Sequence, residues 1–288
     1  SSTRVEAVVT QPDRPAGRGR KTSMGIVKRV ALDHGVAVLQ PGRLRSPDQL
    51  EPLLDLAPEL IVVASFGQIL PQRLLDVPRF GCLNLHPSLL PRLRGPSPIA
   101  TAILNGDDQT GTTVMLMNAQ MDEGPIIAQE AVPVGARETA GELERRLAAR
   151  SAHLLAGTLP GWLAGRFEPV PQDSGAATYS RIIRKEDGVV DWRLPAPAIA
   201  RRIQAFNPWP VATTTWDGRP IRLLRATAAE GRAEPGRVVG LAGSAIAVGS
   251  DCGLVLVEEL QVAGKRVLDA PAFARGYPAI VGARLGGE

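Results

Sequence analysis

Three polar side chains in this sequence have the chemistry needed to transfer an acyl group to an amine. Asn84 and His86 lie two residues apart, just before Pro87, and Asp122 lies in a second run that ends at Gly124. An amide N–H can hydrogen-bond the oxygen of a carbonyl under attack, where negative charge develops. An imidazole can stabilise that oxygen or protonate a leaving nitrogen, and a carboxylate can orient the imidazole or accept a proton. Such a set needs neither a metal nor a covalent intermediate.

These side chains fall where strands are predicted to end. Segments 60–64 and 82–85 are apolar and short, which is typical of buried strands. Residues two apart in a strand point to the same face, so Asn84 and His86 share one. Open α/β sheets place their sites at strand ends. A single His in a strand is usually structural, and an Asp near Gly is usually a turn residue. The prediction of a catalytic site therefore rests on the three residues together.

The first part of the chain alternates strand and helix patterns. Strands are predicted at 5–9, 36–39 and 60–64, and helices at 26–34, 49–56, 72–75 and 97–104. Thr139 and Glu142 fit a capping box ahead of a long helix. This alternation predicts a Rossmann-like α/β domain with a doubly wound, mostly parallel sheet over residues 1–167.

The remainder of the chain has a different composition and a different pattern of predicted elements. Residues 168–180 are rich in proline and polar residues, which indicates a linker. Short strands separated by turns such as Asp217-Gly218 then predict a small β-barrel domain over residues 181–288. The strand candidates are 177–180, 189–192, 212–216, 221–224, 245–248 and 254–257.

Charge and composition limit the function classes. The net charge of +4 and the pI near 9.5 allow an acidic partner. The two cysteines set no disulfide framework and fit a reducing cytosol, and no apolar run approaches the ~20 residues of a membrane helix. The absence of a GxGxxG fingerprint argues against a nicotinamide or flavin cofactor. The histidines lack metal-ligand spacing, so no metal site is expected.

A cluster of basic residues lies near the start of the chain. Arginines and lysines outnumber a single Asp13 between positions 12 and 29, and Pro15, Gly17 and Gly19 prevent a regular helix there. Such a run is often only a solvated face. A flexible basic loop also suits phosphate contacts, which supply affinity and position a nucleic acid.

Two motifs carry a family resemblance. The run from Asn84 to Gly95, NLHPSLLPRLRG, resembles the signature of the 10-formyltetrahydrofolate-dependent formyltransferases, and the run from Gly111 to Gly124 resembles their second motif. The resemblance implies that Asn84 and His86 stabilise a tetrahedral oxyanion while Asp122 positions the imidazole and moves a proton toward N10 of the folate. It also implies 10-formyltetrahydrofolate as co-substrate, with the folate held by Ser88, Leu89, Leu90 and Pro91.

Two further stretches indicate the acceptor. Residues 10–21 are similar to the basic loop that reaches the acceptor stem in family members acting on methionyl-tRNA, and residues 201–210 resemble the start of their C-terminal domain. That domain is similar to an oligonucleotide-binding barrel. The resemblance implies initiator methionyl-tRNA as partner, a cytoplasmic monomer without metal, and tRNA contacts from Arg14, Arg18, Arg20 and Lys21.

Other interpretations remain open at this point. Sugar-nucleotide formyltransferases share the motif pair and also carry a C-terminal barrel. A tRNA-binding protein with an inactive catalytic domain is an alternative from another class, whereas glycinamide ribonucleotide formyltransferases lack a second domain of this size. Family members usually have a strand and helix before the equivalent of Val5–Val9. Their absence from this chain predicts exposed strand edges.

Overall fold

The computed structural model describes residues 3–16 and 21–286. Its strands, in chain order, are β1 (Ala7–Val9), β2 (Arg14–Ala16), β3 (Lys21–Ser23), β4 (Ala37–Leu39), β5 (Ile61–Val63), β6 (Cys82–His86), β7 (Gln109–Leu116), β8 (Ile126–Pro133), β9 (Ala212–Trp216), β10 (Arg219–Ala229), β11 (Val238–Ala242), β12 (Ala245–Gly249), β13 (Leu254–Val262) and β14 (Leu268–Asp269). Its helices are α1 (Ile26–Asp33), α2 (Pro47–Leu54), α3 (Gln72–Leu75), α4 (Pro98–Asn105), α5 (Ala140–Leu163), α6 (Ala196–Ala205) and α7 (Ala270–Gly276).

Two strand pairs before residue 90 are parallel, as the alternating pattern predicts. β1 pairs with β4 and β5 pairs with β6, with Val63 opposite Asn84. Strands β5 to β8 form a four-stranded sheet in the order β5-β6-β7-β8, separate from the β1-β4 pair. In it, β6 pairs with β7 in antiparallel fashion, with His86 opposite Thr113. The strand that carries the candidate catalytic residues is therefore hydrogen-bonded on both sides.

The chain folds into two compact units, each built from more than one stretch of sequence. The first contains residues 1–86, 113–129 and 151–175, and the second contains residues 87–112, 130–150 and 176–288. The sequence instead predicts continuous segments, with domains at 1–167 and 181–288 joined by a linker at 168–180. This division stays a prediction. Within the described ranges, no helix has both the length and the apolar character required to cross a membrane.

In the first unit, the two faces of β6 are packed into different hydrophobic clusters. Cys82 packs with Leu74 and their neighbours on one face, and Leu83 packs with Val114 and Ile127 on the other. Burial raises the pKa of the Cys82 thiol to about 11, so this thiol is a packing group. Side-chain alternation places Asn84 and His86 on the face of Cys82.

The C-terminal strands of the second unit form one antiparallel sheet in the order β11-β12-β13-β10-β9, with β14 paired to β13. Asp217 and Gly218 have φ of +49° and +68° and join β9 to β10, with Trp216 opposite Arg219. A two-residue turn with positive φ matches the twist of a hairpin, which confirms the predicted turn. Parallel pairings followed by an antiparallel C-terminal sheet confirm the predicted fold class.

Two local predictions in the C-terminal half are wrong. Segments 177–180 and 189–192 are not strands but make isolated bridges, Tyr179 with Arg94 and Val189 with Thr213. Helix α6 was not predicted, because Pro195 and Pro197 interrupt its beginning. Proline is tolerated in the first turn of a helix, where the backbone N–H has no intrahelical acceptor. The helix is stable because its apolar face is buried in the core of the sheet.

The predicted capping box at the start of α5 is confirmed and extended by an ion pair. The Thr139 backbone N–H donates to the Glu142 carboxylate at 2.9 Å, and the Glu142 N–H donates to the Thr139 hydroxyl at 3.3 Å. Arg225 also donates to this carboxylate, at 2.7 Å. The Thr139 N–H and then Arg225 lower the pKa of Glu142 to about 2.

Replacing Glu142 with glutamine is expected to lower the melting temperature at neutral pH. The difference from wild type should shrink as the pH falls. The folded-state pKa of about 2 lies below the usual 4.5, so the ionised carboxylate stabilises the fold above pH 4.5. This contribution is lost as the pH falls from 4.5 toward 2. Melting temperatures of wild type and E142Q should therefore converge over that range, with Glu144→Gln at an exposed position of α5 as control. A difference that does not vary with pH would contradict this account.

Candidate active site

Strand β6 fixes two of the three predicted catalytic residues. Asn84 is half-buried and lies between Val63 of β5 and Met115 of β7. His86 is only 4% exposed and lies opposite Thr113. Backbone pairing on both sides of Asn84 leaves the strand little freedom to shift. The amide and the imidazole therefore sit on a rigid element, as a catalytic pair requires.

The structure brings Asp122 to His86 from the turn between β7 and β8. The Asp122 Oδ2 lies 3.7 Å from the His86 Nδ1, and the two side chains are 16% and 5% exposed. This separation is longer than a direct hydrogen bond. At this distance the carboxylate and the imidazole can interact electrostatically. The sequence prediction that these groups meet agrees with this geometry, and their catalytic roles stay predictions.

The turn that carries Asp122 has a demanding backbone. Asp122 has φ of +55°, in the left-handed region that few residues other than Gly adopt. Two residues later, a Cβ on Gly124 would lie 1.8 Å from the Leu116 carbonyl oxygen. The Leu116 N–H in turn donates to the Pro125 carbonyl oxygen at 2.9 Å. The close approach of two backbone segments explains the glycine of the second motif.

Gln172 holds this turn from a segment that sequence reasoning did not mark as functional. Its Nε2 donates to the carbonyl oxygens of Asp122 at 2.8 Å and Gly124 at 2.7 Å. Nothing in the local sequence reveals the contact, because Gln172 lies about fifty positions along the chain in a proline-rich stretch. A polar residue between Pro171 and Asp173 looks like an ordinary linker residue.

The predicted folate-binding loop, residues 88–91, follows β6 and belongs to the second unit. Ser88 is 1% exposed, and its hydroxyl donates to the Arg92 carbonyl oxygen at 2.6 Å. Leu90 is also buried, and the Leu90-Pro91 peptide bond is cis. The Ser88 hydroxyl thus links the two ends of the loop. Folate binding by residues 88–91 stays a prediction.

A buried arginine follows this loop. Arg94 is 2% exposed, donates to the Tyr179 hydroxyl at 3.3 Å and lies 5.9 Å from the centre of that ring. The backbone of Arg94 exchanges hydrogen bonds with residues 178 and 180 at 2.9 and 2.7 Å. The Leu93 N–H donates to the Thr178 hydroxyl at 2.8 Å. The stretch 178–180 therefore secures the end of the loop.

The predicted tRNA-binding residues are only partly covered by the structure. Arg18 and Arg20 lie outside the described residues. Arg14 and Lys21 lie on β2 and β3, which pair in antiparallel fashion on either side of residues 17–20. Lys28, farther along, is paired with Asp13 at 2.6 Å. The hydrogen bond from Lys28 lowers the pKa of Asp13, which favours the ionised carboxylate.

Comparison with known proteins decides the family. Residues 1–159 match the family model described as formyl transferase, and residues 182–278 match the model described as formyl transferase, C-terminal domain. The chain belongs to the formyltransferase family. A curated family member, the methionyl-tRNA formyltransferase of Pelobacter propionicus, is 44% identical over 284 residues, covering 99% of this chain and 89% of the relative. That of Roseiflexus castenholzii is 46% identical over 287 residues, covering 98% and 91%.

A solved structure supports the fold of this formyltransferase. The N-formyltransferase from Helicobacter canadensis, crystallised with folinic acid and dTDP-3-aminofucose, superposes with a TM-score of 0.64. The match covers 86% of each chain at 16% sequence identity. At this identity the likeness concerns the fold. The acceptor must be inferred from the closer relatives and from the site itself.

Proposed function

We propose that this formyltransferase transfers the formyl group of 10-formyltetrahydrofolate to the α-amine of methionine on initiator tRNA. The products are formylmethionyl-tRNA, which serves translation initiation, and tetrahydrofolate. The observation that carries the proposal is the 44% identity to a methionyl-tRNA formyltransferase over 99% of the chain. The geometry of His86 and Asp122 supports it, because an imidazole beside a carboxylate suits acyl transfer to an amine.

The proposed roles on β6 concern the oxygen of the formyl group. The neutral α-amine attacks the formyl carbon, and negative charge develops on the carbonyl oxygen. Asn84 and His86 donate hydrogen bonds to that oxygen from a strand that does not need to rearrange. The Cys82 face of β6 carries both groups, so a single substrate position can meet the two donors.

The proposed role of Asp122 concerns the proton. The attacking amine becomes positively charged as its bond to carbon forms, and N10 of the folate must accept a proton as it leaves. Asp122 stabilises the protonated imidazole and passes the proton from the amine toward N10, directly or through water. The ester in methionyl-tRNA already lowers the basicity of the amine, so a strong base is not required.

The donor folate is assigned to residues 88–91. The hydrogen bond from Ser88 to Arg92 closes this loop, and the Leu89 side chain packs against the backbone at Gly111, where a Cβ would lie 2.5 Å from Leu89 Cδ2. The loop thus has a fixed shape, which suits recognition of a planar pterin by backbone groups. We assign this loop to binding and orientation, with no proton transfer.

A formylation assay with two charged tRNAs tests the proposed function. The protein would be incubated with 10-formyltetrahydrofolate and initiator methionyl-tRNA, with elongator methionyl-tRNA as control. Transfer to the initiator alone is the expected result. An amine-bearing sugar nucleotide, such as the ligand of the Helicobacter enzyme, serves as the competing acceptor. Transfer to the sugar but not to the tRNA would overturn the proposal.

The basic residues near the start of the chain are proposed to bind tRNA phosphates. Replacing Arg18, Arg20 or Lys21 with alanine should raise KM for methionyl-tRNA, and each lost phosphate contact should reduce the salt-dependence slope of binding by about 1. Arg73→Ala is the charge-matched control, since Arg73 is exposed and paired with Glu51. KM values measured across a salt series check this. A slope unchanged in all three variants would show that the segment is only a solvated face.

We also propose that the protein is a cytoplasmic monomer that needs no metal, with residues 181–288 forming a tRNA-binding domain joined to the catalytic domain, 1–167, by residues 168–180. Charged tRNA and the translation machinery are cytoplasmic, and the proposed chemistry uses side chains alone. Light scattering of the purified protein tests the oligomeric state. A formylation assay before and after treatment with a chelator tests the dependence on metal.

A further inference from the structure

Gln172 makes two hydrogen bonds to the candidate catalytic turn. The side-chain amide of a glutamine carries two N–H donors. Nε2 of Gln172 donates to the carbonyl oxygens of Asp122 at 2.8 Å and Gly124 at 2.7 Å. The peptide groups that follow Asp122 and Gly124 are therefore tied to one nitrogen, which fixes the path of the turn across Glu123 and Gly124.

Gln172 is itself held in place by backbone pairing two residues earlier. The Val170 N–H donates to the Ile126 carbonyl oxygen at 2.8 Å, and the Ile126 N–H donates to the Val170 carbonyl oxygen at 2.8 Å. After Gln172, the Gly175 N–H donates to the Asp173 carboxylate at 2.9 Å. The amide is thus presented from a segment that is anchored to the beginning of β8.

The backbone that Gln172 contacts is the part of the turn that needs support. Asp122 adopts φ of +55°, a conformation that persists only when its surroundings fix it. The Asp122 side chain extends from the backbone that these hydrogen bonds hold, and its carboxylate ends 3.7 Å from the His86 Nδ1. If the turn relaxed, the carboxylate would move away from the imidazole.

We propose that Gln172 is a positioning residue for formyl transfer, which fixes the Asp122 turn by hydrogen-bonding two of its carbonyl groups and so sets the carboxylate against His86. This inference rests on the proposed function. It assigns no contact with substrate to Gln172. It predicts that loss of the two N–H donors impairs catalysis only through Asp122.

Two substitutions at Gln172 test the donors. Gln172→Ala removes them, and Gln172→Glu keeps the size but places a carboxylate beside two carbonyl oxygens. Both should lower kcat by about 10- to 100-fold with little change in KM for either substrate, since a displacement of about 1 Å is enough for such a loss. Gln68→Ala is the matched control: Gln68 also bridges backbone groups, with bonds to residues 41 and 44 at 3.0 Å, but not at this turn. It should retain kcat.

A double-mutant cycle with Asp122 separates positioning from a general structural role. In an Asp122→Asn background, Gln172→Ala should lower kcat by no more than about twofold, because the displaced group is no longer a carboxylate. Loss of activity of equal size in both backgrounds would overturn the inference, as would a normal kcat for Q172A. The kcat values of all variants are compared per mole of folded protein.

An activity-independent measurement keeps this inference apart from the proposed function. The chain has 3 histidines, so the ring signals of His86 can be assigned by NMR using a His86→Ala sample. Gln172→Ala should shift these signals in the same direction as Asp122→Asn, and Gln68→Ala should not. A wild type that fails to formylate methionyl-tRNA would refute the proposed function, whereas unshifted His86 signals in Q172A would refute the positioning role.

Discussion

Replacing His86 with alanine is expected to lower kcat by about 10²–10⁴-fold. The imidazole is proposed to interact with an oxygen whose negative charge exists only in the transition state, so KM for methionyl-tRNA and for the folate should change little. Steady-state kinetics at saturating concentrations of both substrates measure this. The exposed His153 of α5 provides the matched control, and His153→Ala should retain wild-type kcat.

The same experiment examines whether His86 and Asp122 work as one unit. Their 3.7 Å separation and low exposure predict that the effects of H86A and D122N are not additive. The loss in the double variant should be smaller than the product of the two single losses, because the part of the Asp122 effect that acts through the imidazole is already absent in H86A. Near-full turnover of H86A would refute the assignment of the catalytic residues. Additive losses would instead indicate that Asp122 acts without the imidazole.

Sequence patterns predicted the elements whose stability is local. The strand that holds Asn84 and His86 is short, apolar and bounded by Gly81 and Pro87, and it forms β6 as expected. The capping box at α5 depends on residues three apart, so it is visible in the sequence. The side-chain alternation that places Asn84 and His86 on one face follows from strand geometry alone.

The support of the site depends on long-range contacts, which sequence patterns do not contain. Gln172 reaches Asp122 across 50 positions, and Thr178 reaches Leu93 across 85. Both residues lie in a proline-rich stretch whose composition indicates only a linker. Helix α6 was missed for a related reason, because its stability comes from burial of Ile199 and Ile203 in the core of a sheet formed later in the chain.

The turn at Asp122 also limits which residues the second motif can contain, and Gly124→Ala is expected to disrupt it. The new Cβ would lie 1.8 Å from the Leu116 carbonyl oxygen and 2.9 Å from the carbonyl carbon. These are backbone atoms, so no change of rotamer can relieve the clash, and the turn or strand β7 must shift. Overpacking of this kind costs about 2–3 kcal/mol. The melting temperature should fall by about 5 °C or more.

Activity should fall together with stability in G124A, because the displaced backbone carries Asp122 and accepts a hydrogen bond from Gln172. The kcat per folded molecule, measured well below the melting temperature, should therefore drop as well. Gly157→Ala is the matched control, since Gly157 lies within α5 and a Cβ there would meet no atom within 4 Å. Alanine there should raise stability by up to about 1 kcal/mol, because it favours the helix, and should leave kcat unchanged. A G124A protein with wild-type stability and turnover would mean that the turn can move without displacing the Asp122 carboxylate. That result would also refute the positioning role of Gln172.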